Sequence, residues 1–139
     1  MKQFYVVLAI ILTCVCGLQV KAQEPKAEIK FDKSVYNFGK FTEDNSVLTC
    51  TFNFTNTGKA PLVITQCVAS CGCTIPVYSD KPIAPGKTGT IKVTYNGKGR
   101  MAGQFKKIIT VMTNATNKLT RLCIQGEMIE KKQFNIDHI

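Results

Sequence analysis

Polar and apolar residues alternate along much of the chain, and the clearest case is the segment 47–56. One face of this segment takes Leu48, Cys50, Phe52 and Phe54, and the other takes threonine and asparagine. A period of two is typical of a β-strand with one buried and one solvated face. The pattern therefore predicts a strand over Val47 to Asn56 with Cys50 facing inward.

Six further segments favour strands, either by alternation or by their content of β-branched and aromatic residues. Turn signals rich in glycine, proline and asparagine separate them, as in Asn56–Pro61, Pro82–Gly86 and Asn96–Arg100. No stretch shows helical periodicity, so the chain is predicted to form an antiparallel β-sandwich of about seven strands. The other predicted strands are Ala27–Phe31, Tyr36–Phe41, Leu62–Val68, Thr88–Tyr95, Phe105–Thr113 and Arg121–Ile129.

The N-terminus is typical of an export signal. Lys2 precedes an apolar run from Phe4 to Val15, and small residues close the segment at Ala22. The predicted organisation is a signal peptide over residues 1–22, one domain over 23–130 and a polar C-terminal tail over 131–139. The apolar run is shorter than the roughly 20 residues of a spanning helix, so no transmembrane span is expected in the mature chain.

Two alternatives for the N-terminal segment stay open. It could remain as a permanent anchor, or it could be processed as a lipoprotein signal at Cys14 or Cys16. All three possibilities place the domain outside the cytoplasm, in the periplasm, at the outer membrane or outside the cell.

The composition excludes several classes of enzyme. The single histidine, His138, lies one residue from the C-terminus, whereas nucleophilic and metal-dependent hydrolases need one or more imidazoles in a built site. Glu43 and Asp44 are the only close carboxylate pair after the N-terminal segment, and adjacent residues on a strand point to opposite faces. We therefore predict a protein that is not an enzyme, with no catalytic residues and no cofactor.

Cysteines are the other candidate source of chemistry. Five remain once the predicted signal is removed, an odd number that leaves at least one unpaired within a single chain. Three of them form a Cys-x3-Cys-x-Cys cluster, Cys67, Cys71 and Cys73. This cluster could form a disulfide, bind a soft ion such as Cu(I) or Zn(II), or act as a redox-active thiol pair. The remaining two, Cys50 and Cys123, are predicted to face opposite ways, which favours a buried free thiol at Cys50.

The chain is basic, with a formal charge of +9. Removal of Lys2 and Lys21 with the signal leaves 16 basic and 9 acidic side chains, a formal charge of about +7. The candidate partner-binding residues are Lys98, Arg100, Lys106 and Lys107, which cluster in sequence around one turn and could contact anionic lipid, glycan or an acidic protein surface. The alternative is a solvated face that maintains solubility. Nucleic acid is not expected outside the cytoplasm, and arginine forks for reading bases are scarce.

Several motifs resemble one known family. These are Ser70-Cys71-Gly72-Cys73-Thr74, then Pro82-Ile83-Ala84-Pro85-Gly86, together with Asn56-Thr57-Gly58 upstream and Val111–Ala115 downstream. They resemble a bacterial domain family of unknown function that is common in secreted and envelope proteins of Bacteroidetes and is related to Hydin-like immunoglobulin-type modules. The resemblance implies an immunoglobulin-like sandwich in the cell envelope, with no established activity. Cys67 lies outside the shared motif.

These observations lead to one hypothesis with an alternative. The chain is predicted to be an exported, non-catalytic binding or scaffolding module whose partner is an unknown envelope protein or an anionic envelope component. Sheet edges, the Ser70–Thr74 loop and the Asn96–Gly103 turn are the candidate contact surfaces. The alternative is a soft-metal or thiol-redox protein that uses the Cys67, Cys71 and Cys73 cluster.

Overall fold

Eight strands form two four-stranded sheets in the computed structural model, which describes residues 20–131 and Gln3. A short 3-10 turn, Glu43–Asn45, separates the second strand from the third. The strands are β1 (Ile29–Phe31), β2 (Val35–Thr42), β3 (Val47–Asn56), β4 (Ile64–Ala69), β5 (Thr74–Tyr78), β6 (Thr88–Asn96), β7 (Gly103–Thr113) and β8 (Leu119–Ile129).

Two predicted terminal segments lie almost entirely outside the described residues. They are the signal peptide as far as residue 19, apart from Gln3, and residues 132–139 of the predicted tail. The possible lipid sites at Cys14 and Cys16 are therefore also outside the described residues. Within residues 20–131, no helix has the length and apolar character needed to cross a lipid bilayer.

The first sheet has the order β1-β3-β6-β5, and the second has the order β2-β8-β7-β4. Every pair in the first sheet is antiparallel, but β2 pairs with β8 in parallel. The predicted antiparallel β-sandwich is therefore confirmed, with one parallel pair between β2 and β8. The link between β1 and β2 is only three residues long and moves the chain from the edge of one sheet to the edge of the other, which adds β2 as a parallel edge strand.

The eighth strand, β5, was not expected from the sequence. It is five residues long, contains Pro76 and pairs with β6 in the register Ile75 to Thr94. Proline is tolerated at a sheet edge because its missing N–H can face away from the neighbouring strand. The other seven strands match the predicted segments to within two residues at every end.

Alternation along the strands places the core between the sheets. Cys50, Phe52 and Phe54 face inward from β3 as predicted. Burial of each large apolar side chain contributes about 1.5–3 kcal/mol. The largest fully buried apolar side chains are Phe52, Phe54, Leu62, Ile91, Ile109, Leu122, Ile124, Val93 and Val111.

One buried polar side chain, Asn56, holds together one end of the sandwich. Its Nδ2 donates to the carbonyls of Ala60 at 2.8 Å and Ile83 at 2.9 Å. Its Oδ1 accepts from the N–H groups of Gly58 at 3.0 Å and Glu28 at 3.4 Å. Since a buried amide is stable only when its hydrogen bonds are satisfied, this asparagine fixes three neighbouring segments. The cysteine loop lies at the opposite end.

Candidate functional site

The cysteine loop connects the two sheets at one end of the sandwich. β4 ends at Ala69 and β5 begins at Thr74. Between them, Cys71 and Cys73 form a disulfide, with their Cα atoms 5.2 Å apart. Cys71 is half-buried and packs against the edge of the core, and Cys73 is buried within it.

Backbone hydrogen bonds fix this loop tightly. The N–H of Cys73 donates to Sγ of Cys71 at 3.2 Å, and the N–H of Thr74 donates to the carbonyl of Cys71 at 3.1 Å. The hydroxyl of Thr74 lies 3.7 Å from Sγ of Cys73. The disulfide therefore lies within a closed turn, and both of its sulfurs contact a potential hydrogen-bond donor.

Cys67 does not join this bridge. It is a free, half-buried cysteine on β4, opposite Val111 of β7. Burial raises the pKa of its thiol to about 12, and a protonated thiol is a poor nucleophile and a poor metal ligand. Among residues 20–131, no three cysteine, histidine or carboxylate side chains are grouped so as to hold a metal ion. In this oxidised form the three cysteines do not provide a thiolate set for a soft metal.

The two surfaces singled out from the sequence lie side by side. The N–H of Asn96 donates to the carbonyl of Cys73 at 2.8 Å, which joins the Asn96–Gly103 turn to the cysteine loop. The turn itself is closed by the N–H of Lys98 donating to Oδ1 of Asn96 at 3.1 Å. We refer to residues 70–74 and 96–103 together as the disulfide end.

The four candidate basic residues do not form one patch. Lys98 and Arg100 are exposed on the turn, and Met101 beside them is 93% exposed. Lys106 and Lys107 follow on β7, where adjacent side chains point to opposite faces. Lys106 is exposed on the outer face, whereas Lys107 is half-buried. The disulfide end thus carries two of the four predicted cations.

The open edge of β5 offers little to an added strand. The hydrogen bond from Asn96 identifies Cys73 as a residue whose backbone groups point toward β6. Because these directions alternate along an antiparallel strand, the backbone groups of Thr74 and Pro76 point toward the open edge. Pro76 has no N–H, and the N–H of Thr74 is already bonded to Cys71. Both features are typical of sheet edges protected against pairing with another chain.

The opposite edge of the first sheet, β1, is closed by a side chain. Nδ2 of Asn117 donates to the carbonyl of Ile29 at 2.8 Å, and the N–H of Ile29 donates back to Oδ1 of Asn117 at 3.3 Å. The N–H of Thr116 donates to the carbonyl of Ala27 at 3.0 Å. Sequence analysis missed this role of Asn117, because residues 88 positions apart meet only in the folded chain. The two edges of the first sheet are therefore poor candidates for strand addition.

The other two cysteines are free, as the face pattern suggested. Cys50 is buried among core residues, and burial raises the pKa of its thiol to about 11. Cys123 is also buried, but its position on β8 alternates with the core residues Leu122 and Ile124. The two thiols thus lie on opposite faces of their sheets and do not pair.

Glu43 and Asp44, the one close carboxylate pair noted in the sequence, do not face a common gap as an acid–base pair would. Both lie on the exposed 3-10 turn, and Asp44 forms an exposed ion pair with Lys131 at 2.6 Å. Such exposed pairs contribute about 0–1 kcal/mol to stability. His138 lies outside the described residues.

Several solved structures share this fold. A protein of unknown function from Porphyromonas gingivalis W83 matches with a TM-score of 0.63 and 15% identity, over 73% of this chain and 47% of that one. PapD-like domain 7 of human CEP192 matches with a TM-score of 0.62 and 10% identity, over 83% and 94%. The periplasmic chaperone SfaE matches with a TM-score of 0.55 and 10% identity, over 73% and 58%.

These likenesses show the fold alone, a PapD-like sandwich of the immunoglobulin type. The chain spans about half the length of the Porphyromonas protein. No match to the curated protein sequences was found. A family model described as protein of unknown function, DUF1573, matches residues 29–128, which cover β1 to β8 almost completely. The chain therefore belongs to the DUF1573 family.

Proposed function

We propose that this protein is an exported, non-catalytic binding module of the bacterial cell envelope, and that the disulfide end contacts its partner. The observation that carries this proposal is the hydrogen bond between Asn96 and Cys73, which makes two separate loops one surface. That surface presents the exposed side chains of Lys98, Arg100 and Met101 beside the half-buried Cys71. Loops held on a rigid sandwich are common sites of recognition. The partner is an envelope protein or an anionic envelope component.

Three kinds of evidence support this proposal. The N-terminal sequence favours export, and a disulfide is typical of an oxidising compartment outside the cytoplasm. The fold is shared with two proteins described as chaperones, YadV and the periplasmic SfaE, and this likeness supports a role in binding other proteins. The relation to Hydin-like immunoglobulin-type modules is also part of this proposal, and it depends on the resemblance carried by Ser70–Thr74 and Pro82–Gly86.

Site-specific photo-crosslinking in living cells tests the proposal. A photoreactive amino acid replaces Lys98 in one strain and Lys59 in another. Lys59 is exposed on a turn at the opposite end of the sandwich, so it is a matched control. We expect an adduct with one envelope component from position 98 and none from position 59. Adducts from position 59 alone, or a chain that remains in the cytoplasm with residues 1–22 attached, would contradict the proposal.

A thiol–disulfide centre is the second candidate function. Cys71 is the less buried of the two cysteines, and the N–H of Cys73 donates to its Sγ. A dithiol partner would attack Sγ of Cys71, the S–S bond would break, and Cys73 would leave as a thiolate that accepts a proton. The second partner thiol would then release Cys71 and form the partner disulfide. Equilibration with reduced and oxidised glutathione tests this candidate, because a structural bridge stays oxidised at ratios that reduce a catalytic one.

A further inference from the structure

The second sheet carries apolar side chains on its outer face as well as on its inner face. In β7 the run Ile108, Ile109, Val111 and Met112 breaks the strict alternation seen in β3. A strand that is apolar on both faces is typical of a sheet that is covered on both sides. We call the outward apolar residues the outer apolar face: Val35, Val68, Ile108, Met112, Leu119 and Cys123.

Strand register makes these residues neighbours. Cys123 lies between Ile108 on one side and Val35 on the other. Met112 lies opposite Leu119 on the same face, four residues further along each strand. Directly paired residues on one face of a sheet have Cβ atoms about 4.5–5.5 Å apart. The outer apolar face therefore spans four strands as two apolar rows, with Arg121, Thr110 and Val68 in the row between them and Cys123 buried within the first row.

Several of these side chains are open to solvent. Val35 is 48% exposed, Val68 is 43% exposed and Leu119 is 47% exposed. Ile108 and Met112 are half-buried. Contiguous apolar surface of this kind on a soluble domain marks a site of interaction.

The outer face of the first sheet differs. Its two central strands present cross-strand pairs of Thr49 with Thr94 and of Thr51 with Lys92. The hydroxyls of Thr49 and Thr94 lie 3.2 Å apart, within hydrogen-bond distance. The first sheet also exposes apolar side chains, but these lie at one end of β3 (Val47) and on the edge strand β5 (Ile75 and Val77), away from its two polar central strands.

Two cations lie on this outer face, Arg121 among the apolar residues and Lys106 two positions before Ile108 on β7. Arg121 is exposed on β8 between Leu119 and Cys123, and it lies opposite Thr110 of β7. Within residues 20–131, no carboxylate lies within 4.0 Å of its guanidinium. Arginine surrounded by apolar side chains suits a carboxylate from a partner, since its fork binds carboxylates in a bidentate manner.

We propose that the outer apolar face binds a segment of a partner protein in which apolar side chains flank an aspartate or glutamate. This inference depends on the proposed function as a binding module and names the chemistry of the partner. Charge complementarity favours this occupant, because a carboxylate flanked by apolar side chains matches both Arg121 and the apolar residues around it. A second copy of the chain, whose Glu127 lies on the same outer face of β8, is distinguished by experiment below. A lipid surface fits less well, since none of the six apolar residues is an aromatic of the type enriched at membrane interfaces.

Selection of random peptides displayed on phage, with the purified protein as bait, tests this inference. We expect the selected peptides to contain an acidic residue within an apolar sequence. Val68→Lys and Leu119→Lys should each weaken their binding by about tenfold or more. The matched controls are Val77→Lys and Val47→Lys, which change exposed valines of the first sheet and should alter binding by less than about twofold. Circular dichroism and the midpoint of thermal unfolding confirm that each variant is folded.

The charge of the selected residue gives a second readout. A selection against Arg121→Glu should yield peptides in which lysine or arginine replaces the acidic residue. Peptides that bind equally to Val68→Lys and wild type would overturn this inference, and so would the absence of any selected peptide. If those peptides are lost with Lys98→Glu instead, the inference falls while the proposed function stands. If Val68→Lys abolishes binding but position 98 gives no crosslink in cells, the disulfide end is the part that is wrong.

Anionic lipid and a second copy of the chain are two other possible occupants of the outer apolar face, and each would give a distinct result. Binding to vesicles of phosphatidylcholine and phosphatidylglycerol in about a 3:1 ratio, lost in Leu119→Lys, would assign the face to anionic lipid. A dimer in sedimentation that Leu119→Lys dissociates would assign it to a second copy. Either result overturns the inference.

Discussion

The N–H of Asn96 donates to the carbonyl oxygen of Cys73 across 2.8 Å, and this bond extends the β5–β6 ladder beyond the end of β5. It links the loop that contains the disulfide to the turn that contains Lys98. The disulfide restricts Cys73, and Cys73 in turn restricts Asn96. The order of the exposed turn should therefore depend on the oxidation state of a bridge on another loop.

Removal of the bridge by Cys71→Ala with Cys73→Ala should loosen this turn. We expect faster hydrogen exchange at the Asn96 amide and a loss of about 1.5 kcal/mol in the free energy of unfolding, because the bridge closes a loop of only three residues. Hydrogen exchange followed by NMR and denaturant unfolding measure the two effects. Cys67→Ala is the control and should leave the Asn96 amide protected. Unchanged exchange at Asn96 in the double variant would show that the two loops are independent.

The pattern of free thiols gives a simpler prediction. In the chain from residue 23 onward, alkylation after denaturation without reductant should label three cysteines, and prior reduction should raise the number to five. The three are Cys50, Cys67 and Cys123, which are free in the fold. Mass spectrometry of the labelled peptides identifies each site. A single labelled cysteine would mean that two of these three thiols form a second disulfide, which would contradict the pattern of free cysteines assigned here.

The parts of this fold that follow from local pattern were predicted from the sequence. The alternation of Cys50, Phe52 and Phe54 identified the inner face of β3, and the same logic separated Cys50 from Cys123. Periodicity of two is a local property, so it is visible without any knowledge of the neighbouring strands. The Ser70–Thr74 and Asn96–Gly103 segments were also correctly predicted to connect strands, because glycine and cysteine motifs mark loops locally.

Features that depend on distant pairing were not predicted. β5 is short and contains Pro76, so its identity as a strand depends on β6. The parallel direction of β2 depends on its position beside β8. The contact of Asn117 with Ile29 and the bond from Asn96 to Cys73 join residues that are far apart in the chain. Such contacts are set by topology, and the residues that form them have no local signature.

Asn56 should be among the most sensitive polar positions of the domain. Asn56→Ala leaves the N–H of Gly58 and the carbonyls of Ala60 and Ile83 without their side-chain partner. Because unsatisfied buried groups cost about 1–3 kcal/mol each, we expect a loss of about 3 kcal/mol. Asn53→Ala, on the exposed face of the same strand, is the control and should change the stability by less than about 0.5 kcal/mol. Urea unfolding of both variants measures the difference, and equal losses would refute the role assigned to Asn56.

The buried thiol of Cys50 should make the stability depend on alkaline pH. Burial raises its pKa from about 9 to about 11, so the folded state holds this proton more tightly than the unfolded chain does. Its contribution is therefore complete below about pH 9 and is lost as the pH rises toward 11. Between pH 8 and 10.5, wild type should lose about 2 kcal/mol more than Cys50→Ala does.

Other groups titrate in the same range, so the comparison between variants carries this prediction. Val93→Ala removes the cross-strand neighbour of Cys50 and adds no titratable group. It should therefore lower the stability while keeping the pH dependence of wild type. Cys67→Ala should behave like Cys50→Ala, because burial raises the pKa of that thiol as well. Guanidinium unfolding at a series of pH values separates the loss of core packing, which is the same at every pH, from the loss of a titrating thiol, which changes the slope against pH. If Cys50→Ala and Val93→Ala show the same slope against pH, the Cys50 thiol ionises equally in the folded and unfolded states and the assigned effect of burial is wrong.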